Sequence, residues 1–220
     1  KSFDFFGGIE MKEKKVPDVV ARRLPRYYRY LDDLLKKQIY RISSSELSRK
    51  MGVTASQIRQ DFNFFGGFGQ QGYGYNVEML HKEIGTILGL YSGRKTIIVG
   101  AGYLGHALAN HTNFKKRGFT LVGVFDNDKS KAGRKISDLT ISDYDKIADF
   151  ISENQPDIAI LSVPRTAVKS VAENLISLGI KAIWNFSYTE LDEQENVVIE
   201  NVHLSDSLMM LSYKLNALDD

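Results

Sequence analysis

The chain of 220 residues contains no cysteine. That absence excludes disulfide frameworks, thiolate metal ligands and cysteine nucleophiles, and it is consistent with a reducing compartment. Proline is also scarce, at four residues. No apolar run approaches the ~20 residues that a membrane span needs, and no signal-peptide pattern is visible, so we expect a cytoplasmic protein that does not contact a membrane.

The remaining composition is that of an ordinary globular protein, with 43% hydrophobic and 25% charged residues. Its length allows one large domain or two small ones. The net charge of +2 conceals an asymmetry, because residues 11–95 carry 16 Lys and Arg against 8 Asp and Glu, whereas residues 96–220 carry 12 against 17. The first half therefore favours an anionic partner, although basic side chains that only solvate helix faces would give the same excess.

The first structured segment is predicted to be helical. Residues 1–10 have neither a helical nor a strand period, and we expect them to be a non-native extension outside the fold. Apolar residues at helical spacing predict a helix over about 18–37. Pro25 lies inside this helix and marks either a kink or the true helix start.

Two capping boxes follow, Ser43-x-x-Glu46 and Thr54-x-x-Gln57, and they predict two short helices separated by Gly52. The second helix has an apolar stripe of Ile58, Phe62 and Phe65. The opposite face of this helix is polar, rich in hydrogen-bond donors, and formed by Ser56, Gln57, Arg59, Gln60 and Asn63. This pattern is typical of a helix-turn-helix whose second helix enters the major groove of DNA.

The segment GGFGQQGYGY at 66–75 holds five glycines and three aromatics, and it predicts a β-hairpin with a flexible tip. A helix-turn-helix followed by such a hairpin is a winged helix, and a helical protein-interaction module is the alternative. Arginine matches guanine O6 and N7, and glutamine matches adenine N6 and N7. The residues that we expect at DNA are Ser56, Gln57, Arg59 and Gln60 at the bases, Arg49 and Lys50 at the phosphates, and Gln70, Gln71 and Tyr73 in the wing.

From residue 96 onward, continuous apolar strands alternate with amphipathic helices, which predicts a parallel sheet covered on both faces. A last helix, over about 205–218, is strongly apolar, and we expect it to pack on a second subunit. The predicted strands are 96–100, 119–126, 157–163 and 181–186, and the predicted helices between them are about 103–113, 143–153 and 166–178.

A G-x-G-x-x-G motif lies directly after the first of these strands and before a helix. Its first glycine permits a tight turn, its second lets the backbone approach a pyrophosphate, and its third allows close packing of helix on strand. The phosphates would then lie on N–H groups at the helix start. An α/β domain whose glycines serve only packing is the alternative. The motif consists of Gly100, Ala101, Gly102, Tyr103, Leu104 and Gly105.

The cofactor that this motif predicts is NAD(H). Asp126 ends the second strand 21 residues after Gly105, where an acid accepts hydrogen bonds from the adenosine ribose and disfavours a 2′-phosphate. Lys129 and Lys131 follow closely and weaken that preference. Further contacts are expected at the carboxyl ends of the strands, from Asn127, Lys131, Ser162, Val163, Pro164, Asn185, Phe186 and Ser187, although ordinary strand-end loops would also fit there.

No catalytic or metal-binding residue is predicted. A dehydrogenase needs a proton donor or acceptor beside the nicotinamide, and the four histidines, His81, His106, His111 and His203, are best explained as surface or capping residues. Only His111 and His203 could approach the nicotinamide. No histidine pair has zinc-site spacing. A site that senses the cofactor without transforming it fits this inventory better.

Over residues 16–218 the chain resembles the Rex family of redox-sensing transcriptional repressors. The resemblance implies a homodimer with winged-helix N-terminal domains, Rossmann-like C-terminal domains and C-terminal helices exchanged between subunits. It also implies binding to double-stranded operator DNA when NADH is scarce, and release when NADH binds. It is carried by the motifs SQIRQDFNFFGGFGQQGYGY (56–75), GAGYLG (100–105), VFDND (124–128), SVPR (162–165) and NFS (185–187).

Three positions depart from the family pattern. Gln60 stands where many members have lysine, and Gln71 where the wing often has arginine, so both changes remove charge and should weaken or redirect DNA binding. His203 stands where some members have an acid that pairs with an N-terminal arginine, here expected to be Arg23. The expected organisation is a winged-helix DNA-binding domain at 11–92, a Rossmann-like NAD(H)-binding domain at 93–204 and a dimerisation helix at 205–220.

Three other functions stay open at this stage. One is an NAD-dependent dehydrogenase with an accessory helical domain, which the missing acid–base residues disfavour. Another is a CoA-binding domain of the ligase type, which Asp126 disfavours. The third is a plain interaction module.

Overall fold

The computed structural model describes residues 16–64, 69–70, 73–111 and 113–218. The chain divides into two compact units, which meet in the sequence between Tyr91 and Ser92. The first unit contains α1 (Asp18–Ala21), α2 (Leu24–Lys36), β1 (Arg41–Ile42), α3 (Ser44–Met51), α4 (Ala55–Asn63), β2 (Gly69–Gln70), β3 (Gly74–Asn76) and α5 (Val77–Ile87).

The first unit is a winged helix. Its strands form an antiparallel sheet in the order β1-β3-β2, so β2 and β3 are the two strands of the predicted hairpin. The apolar faces of the helices and of β3 pack together into one common core around Leu24, Leu31, Ile58 and Leu80. The exposed positions of α4 are thereby left on the outer side.

Local signals explain where these helices begin and end. The predicted helix over 18–37 is in fact two helices, because Pro25 lies in the first turn of α2, where its missing N–H has no intrahelical partner to lose. The Ser43 capping box is complete, and α3 ends at Gly52 with a φ of 67°. The Thr54 box is only half formed. Thr54 accepts from the Gln57 backbone, but the Gln57 side chain turns to Asp61 instead of the cap.

The second unit is a Rossmann-like α/β domain, as predicted. Its seven strands have the order β10-β9-β8-β4-β5-β7-β6, and every pair is parallel except β6 with β7. Its elements are β4 (Arg94–Val99), α6 (Tyr103–Ala109), α7 (Asn113–Lys116), β5 (Phe119–Asp126), β6 (Lys135–Ile136), β7 (Leu139–Asp143), a 3₁₀ turn (Tyr144–Lys146), α8 (Ile147–Asn154), β8 (Ile158–Leu161), α9 (Val168–Ser177), β9 (Ala182–Asn185), β10 (Val198–Asn201) and α10 (Leu204–Asn216).

Several boundaries differ from the predicted ones. The helix after the glycine motif ends at Ala109, and residue 143 ends a strand instead of starting a helix. The stretch before the last helix, which shows no period that predicts structure, contains β10. The unpredicted strands β6 and β10 are the two edge strands of the sheet. β6 has only two residues and β10 is only half-buried, so neither is marked by a continuous apolar run.

The strands of the second unit bury both faces of the sheet. Ile97 and Val99 belong to the core under α8 and α9, whereas Ile98 between them belongs to the core on the opposite face. The last helix, α10, is exposed along its whole length. Along the described residues, no helix combines the length and apolar character that crossing a bilayer requires.

Candidate cofactor site and nucleic-acid interface

The order in which the strands are added to the sheet reverses at β4. From β4 the sheet continues through β5 on one side and through β8 and β9 on the other, so the loops after these strands meet at one edge. The register places Val99 beside both Phe125 and Leu161, and Leu161 beside Asn185. Ligands of open α/β sheets bind outside the carboxyl ends of the strands at such a reversal. The structure therefore brings the predicted strand-end residues together.

The three glycines of the loop after β4 have different surroundings. A Cβ at Gly100, whose φ is 103°, would collide with the carbonyl oxygen of Ser162, and a Cβ at Gly105 would collide with that of Gly100. A Cβ at Gly102 would meet no atom within 4 Å. Gly100 and Gly105 are thus required by packing, whereas Gly102 leaves open space beside the start of α6. That space fits a pyrophosphate that approaches the backbone.

Asp126 holds this loop from the end of β5. Its side chain is only 6% exposed. One oxygen, Oδ2, accepts from the Ala101 N–H at 2.7 Å and from Lys131 Nζ at 2.9 Å, and Oδ1 accepts from the Asp128 N–H at 2.8 Å. Burial alone would raise the pKa of Asp126, but these donors outweigh it and hold the pKa below its usual value. The carboxylate therefore stays ionised, with Lys131 half-buried and Asn127 exposed next to it.

The loop after β8 is tied to the glycine loop. Ser162 Oγ donates to the carbonyl oxygen of Gly100 at 2.7 Å. Val163 is partly buried, and Pro164 is exposed.

The loop after β9 is held by Asn185, which is fully buried. Its Nδ2 donates to the Thr189 carbonyl and to Asn201 Oδ1, both at 2.8 Å, and its Oδ1 accepts from the Ser187 N–H at 2.9 Å. The Asn185 amide thus holds the loop in place, and Phe186 packs beside the Trp184 ring. Ser187 differs, because its Oγ is buried without a hydrogen-bond partner among the described atoms. A buried orphan hydroxyl at this edge fits a missing polar ligand.

One histidine, His203, lies at this edge, because it follows the end of β10 and its ring lies 6.1 Å from that of Tyr188 in the loop after β9. His111 is exposed and stacks on Phe114, and His203 Nε2 lies 3.3 Å from Glu190 Oε1. His81, in the first unit, stacks on Tyr28. Within the described ranges, no three His, Asp or Glu side chains are grouped so as to hold a metal ion.

The predicted DNA-contacting residues that the structure describes lie on α3, on α4 and in the hairpin. Ser56, Arg59 and Gln60 are exposed on α4, and Gln57 is half-buried. Arg59 Nη1 donates to Ser44 Oγ at 3.2 Å, which joins the two helices of the helix-turn-helix. The other predicted residues that the structure describes are exposed Arg49 and Lys50 at the end of α3, exposed Tyr73, and Gln70 at the end of β2. Gln71, like Phe65 of the predicted apolar stripe, lies outside the described residues.

A buried ion pair behind α4 was not predicted. Asp61 has 0% exposure, and it accepts from Arg23 Nε at 2.8 Å and Arg23 Nη2 at 2.7 Å. It also accepts from the Tyr27 hydroxyl at 2.7 Å and from Gln57 Nε2 at 3.0 Å. Burial alone would raise the pKa of Asp61, but these hydrogen bonds outweigh it and hold the pKa below its usual value. Burial and the neighbouring carboxylate raise the pKa of Tyr27.

One sequence signal could have indicated this ion pair. Asp61 lies in the apolar stripe of α4, three residues after Ile58 and next to Phe62, and an acid at a core position needs a buried partner. Arg23 is therefore engaged inside the first unit, and His203 is paired inside the second. The contact expected between Arg23 and His203 stays a prediction.

Two family models match parts of the chain. Residues 15–63 match the model of the N-terminus of putative DNA-binding proteins, and residues 92–189 match the model of the CoA binding domain. The matches follow the division into two units. They also cover the helix-turn-helix and the sheet edge described above.

Closely similar proteins span nearly the whole chain. The redox-sensing transcriptional repressor Rex of Caldicellulosiruptor bescii is 55% identical over 205 residues, which cover 93% of this chain and 94% of that protein. The protein of the same name from Thermoanaerobacter pseudethanolicus is 56% identical, with 93% and 92% covered.

Solved structures agree with these matches. The structure of RSP in complex with β-NAD⁺ and operator DNA has a TM-score of 0.87 at 55% identity, with 93% of this chain and 94% of that chain covered. The structure of RSP in complex with β-NADH has a TM-score of 0.86 at 51% identity, with 93% and 96% covered.

Proposed function

The chain belongs to the Rex family of redox-sensing transcriptional repressors, and from that premise we propose that it represses transcription by binding operator DNA and leaves the operator when NADH binds. One observation carries the proposal. The same chain has a helix-turn-helix with an exposed donor-rich face and a sheet edge that carries the open backbone of Gly102, the buried carboxylate of Asp126 and the unpartnered hydroxyl of Ser187. RSP, a similar protein, has been solved with β-NADH and with β-NAD⁺ and operator DNA.

In this proposal the second unit binds NAD(H). The open backbone at Gly102 receives the pyrophosphate, and Asp126 with Lys131 faces the adenosine ribose. The loops of Ser162 and Ser187 face the nicotinamide half, where the buried Ser187 hydroxyl would gain a partner. The bound cofactor supplies the redox signal, because its nicotinamide ring is positively charged only when it is oxidised.

The first unit binds the operator. The exposed side chains of α4 reach base edges in the major groove, and Arg49 and Lys50 at the end of α3 neutralise phosphates. The wing, which includes Tyr73, lies along the DNA backbone. The excess of basic residues in the first half supplies the salt-dependent part of the affinity.

A second copy completes the repressor. α10 exposes seven large apolar side chains, and so many exposed apolar residues on one helix indicate burial against a partner. The second unit also has an apolar hollow on its sheet, lined by Phe114, Ile160 and Trp184 among others. Dimerisation through α10 would bury this helix. The dimer would then present two copies of α4, one to each half of a palindromic operator. The exposed apolar residues of α10 are Leu204, Leu208, Met209, Met210, Leu211, Tyr213 and Leu215.

The response follows from linkage between the two sites. NADH releases DNA only if it binds the DNA-free arrangement more tightly, and DNA must then weaken NADH binding by the same factor. The affinity of NAD⁺ must differ less between the two arrangements, because the protein would otherwise not respond to the ratio of NADH to NAD⁺. The second unit is proposed to bind the cofactor without transforming it, because the similar proteins that span the chain are transcriptional repressors.

One specific observation favours a second candidate function, CoA binding. Residues 92–189 match the CoA-binding family model. Asp126 opposes that function, because a buried carboxylate repels a phosphate on the adenosine ribose.

The test measures DNA binding and ligand response together. Binding of a library of palindromic duplexes is measured by fluorescence anisotropy at fixed salt, with NADH, NAD⁺ or CoA added. We expect a specific duplex to bind, NADH to release it, and NAD⁺ and CoA to leave it bound. Equal NADH affinity with and without that duplex would contradict the linkage. Release by CoA alone would favour the second candidate.

A further inference from the structure

The Gln57 side chain on α4, the helix that we propose to enter the major groove, is fixed by a hydrogen bond to Asp61. One turn later on the same helix, Asp61 accepts from Gln57 Nε2 at 3.0 Å. The carboxylate that accepts this bond cannot turn away, because Arg23 grips both of its oxygens and the Tyr27 hydroxyl donates to one of them. Gln57 itself is half-buried, whereas its neighbours Ser56 and Arg59 on α4 are exposed.

The chemistry of this contact fixes which way the amide turns. An ionised carboxylate only accepts hydrogen bonds, so it requires the Gln57 nitrogen to face it. A flipped amide would place its carbonyl oxygen against the buried carboxylate, so that two acceptors would face each other with no donor between them. The Gln57 amide therefore has one orientation, with one N–H donated to Asp61.

The groups that remain on Gln57 define what it can recognise. They are the carbonyl oxygen and the second N–H, which lie side by side on one edge of the amide when the N–H given to Asp61 is the one anti to the carbonyl oxygen. Adenine offers the complementary pair in the major groove, the N6 donor and the N7 acceptor. Guanine offers two acceptors, O6 and N7, which would match only an amide that presented both N–H groups outward.

We propose that Asp61 is a positioning residue for sequence recognition, which fixes the Gln57 amide so that this side chain reads adenine and rejects guanine. The inference rests on the proposed function, because it requires α4 to lie in the major groove. Gln60 on the same helix provides an internal comparison. It is exposed, and no hydrogen bond in the described part of the chain orients its amide, so it is free to present either edge.

The experiment is selection of DNA from randomised palindromic duplexes by the full-length protein and its variants. Gln57→Ala identifies the base pair that Gln57 reads, because the preference there is lost. At that pair we expect the wild-type protein to favour adenine over guanine by about tenfold or more, as one bidentate contact allows. Asp61→Asn should reduce that ratio to about threefold or less, because an asparagine amide both donates and accepts and permits either orientation of Gln57.

Two controls separate positioning from folding. Gln57→Asn keeps the amide but shortens the side chain by one methylene. The variant therefore loses the hydrogen bond to Asp61 and leaves the ion pair between Asp61 and Arg23 intact. It should also lower the adenine-to-guanine ratio. Gln60→Ala should change the preference at a different base pair and leave the adenine-to-guanine ratio at the Gln57 pair unaltered. In the double variant Gln57→Ala with Asp61→Asn, the Asp61 change should add no further loss at that pair.

The outcomes are distinguishable. If the wild-type protein selects no duplex, the proposed function fails and this inference fails with it. If the wild-type protein selects a site but Asp61→Asn and Gln57→Asn leave the adenine-to-guanine ratio unchanged, the inference alone is overturned. It is also overturned if Asp61→Asn weakens binding equally at every base pair, since that result describes a purely structural aspartate.

Discussion

Asp61 in the first unit and Asp126 in the second are both buried acids beside a cation, yet they are held in different ways. Every donor to Asp61 is a side chain, and these side chains come from the start of α2 and from α4. Two of the three donors to Asp126 are backbone N–H groups, and the third is the ammonium of Lys131. Asp61 therefore fastens helices together, whereas Asp126 shapes a loop.

This difference predicts different consequences of losing each acid. Without Asp61, a guanidinium, a phenol and an amide lose their partner in or beside the core. Without Asp126, mainly the glycine loop changes, which we propose to face the cofactor. A buried acid held by side chains should thus matter most for stability, and one held by backbone should matter most for binding.

The largest expected effect is that of Asp61→Ala. Removing one partner of a fully buried ion pair costs about 3–5 kcal/mol, and because the remaining Arg23 is 26% exposed we expect the free energy of unfolding of the first unit to fall by about 2–3 kcal/mol. Urea denaturation can be followed by far-UV circular dichroism and by fluorescence of the single tryptophan, Trp184, which lies in the second unit. Only the circular dichroism transition should shift markedly.

A matched control is Asp32→Ala, which removes an exposed pair between Asp32 and Lys36 at 2.8 Å. We expect it to cost about 0.5 kcal/mol or less. If Asp61→Ala cost no more than this control, Asp61 would not hold the helices together.

The second effect is that of Asp126→Ala, which leaves the Ala101 N–H without its acceptor. The free energy of unfolding reported by Trp184 should fall by about 1–3 kcal/mol. The NADH affinity should fall by about tenfold or more, because a hydrogen bond from the ribose to a charged group is lost. Isothermal titration calorimetry measures this affinity. The control is Asp128→Ala, an exposed neighbour whose loss should change neither quantity strongly.

The pH dependence gives a third test. The pKa of each acid is lowered from an ordinary value of 3.8. Their stabilisation is therefore present above that pH and is lost as the pH falls through the lower pKa of the folded state. Wild-type stability should decline mainly below about pH 4. Asp61→Ala should flatten this decline in the circular dichroism transition and leave it in the Trp184 transition.

The smallest effect on stability is expected for Gly102→Ala. The added methyl group meets no atom within 4 Å, so the free energy of unfolding should change by about 0.5 kcal/mol or less. The NADH affinity should nevertheless fall, because the methyl group occupies the space proposed for the pyrophosphate. Gly105→Ala is the counterpart, since its methyl group collides with the Gly100 carbonyl and should destabilise the second unit. Unchanged calorimetric affinity for Gly102→Ala would contradict the placement of the pyrophosphate.

Periodicity and turn chemistry predicted much of this fold. The complete Ser43 box, the strand before Gly100 and the acid at the end of β5 are local features, and the structure has them where they were expected. The Arg23–Asp61 pair joins residues 38 apart, and no local pattern relates them. Gln57 shows the same limit, because its sequence context predicts a cap contact and tertiary structure supplies Asp61 instead.

The candidate site was predicted at the level of loops, not of atoms. The sequence indicates that Asn185 and Ser187 lie at the sheet edge, but both have polar side chains and nothing local ranks them. The structure distinguishes them, because the Asn185 amide donates to Thr189 and Asn201, whereas the Ser187 hydroxyl has no partner among the described atoms.

The hydrogen bonds of Asn185 also connect the loop after β9 to the start of α10. Its side chain donates to Asn201, and its carbonyl accepts from the Val202 N–H at 2.8 Å, two residues before α10 begins at Leu204. With 13 residues, α10 is about 20 Å long. A tilt of about 10° at its foot moves its far end by about 3 Å, at a rise of ~1.5 Å per residue. A small displacement at the Ser187 loop would therefore become a larger displacement at the end of α10, where we propose that a second copy binds.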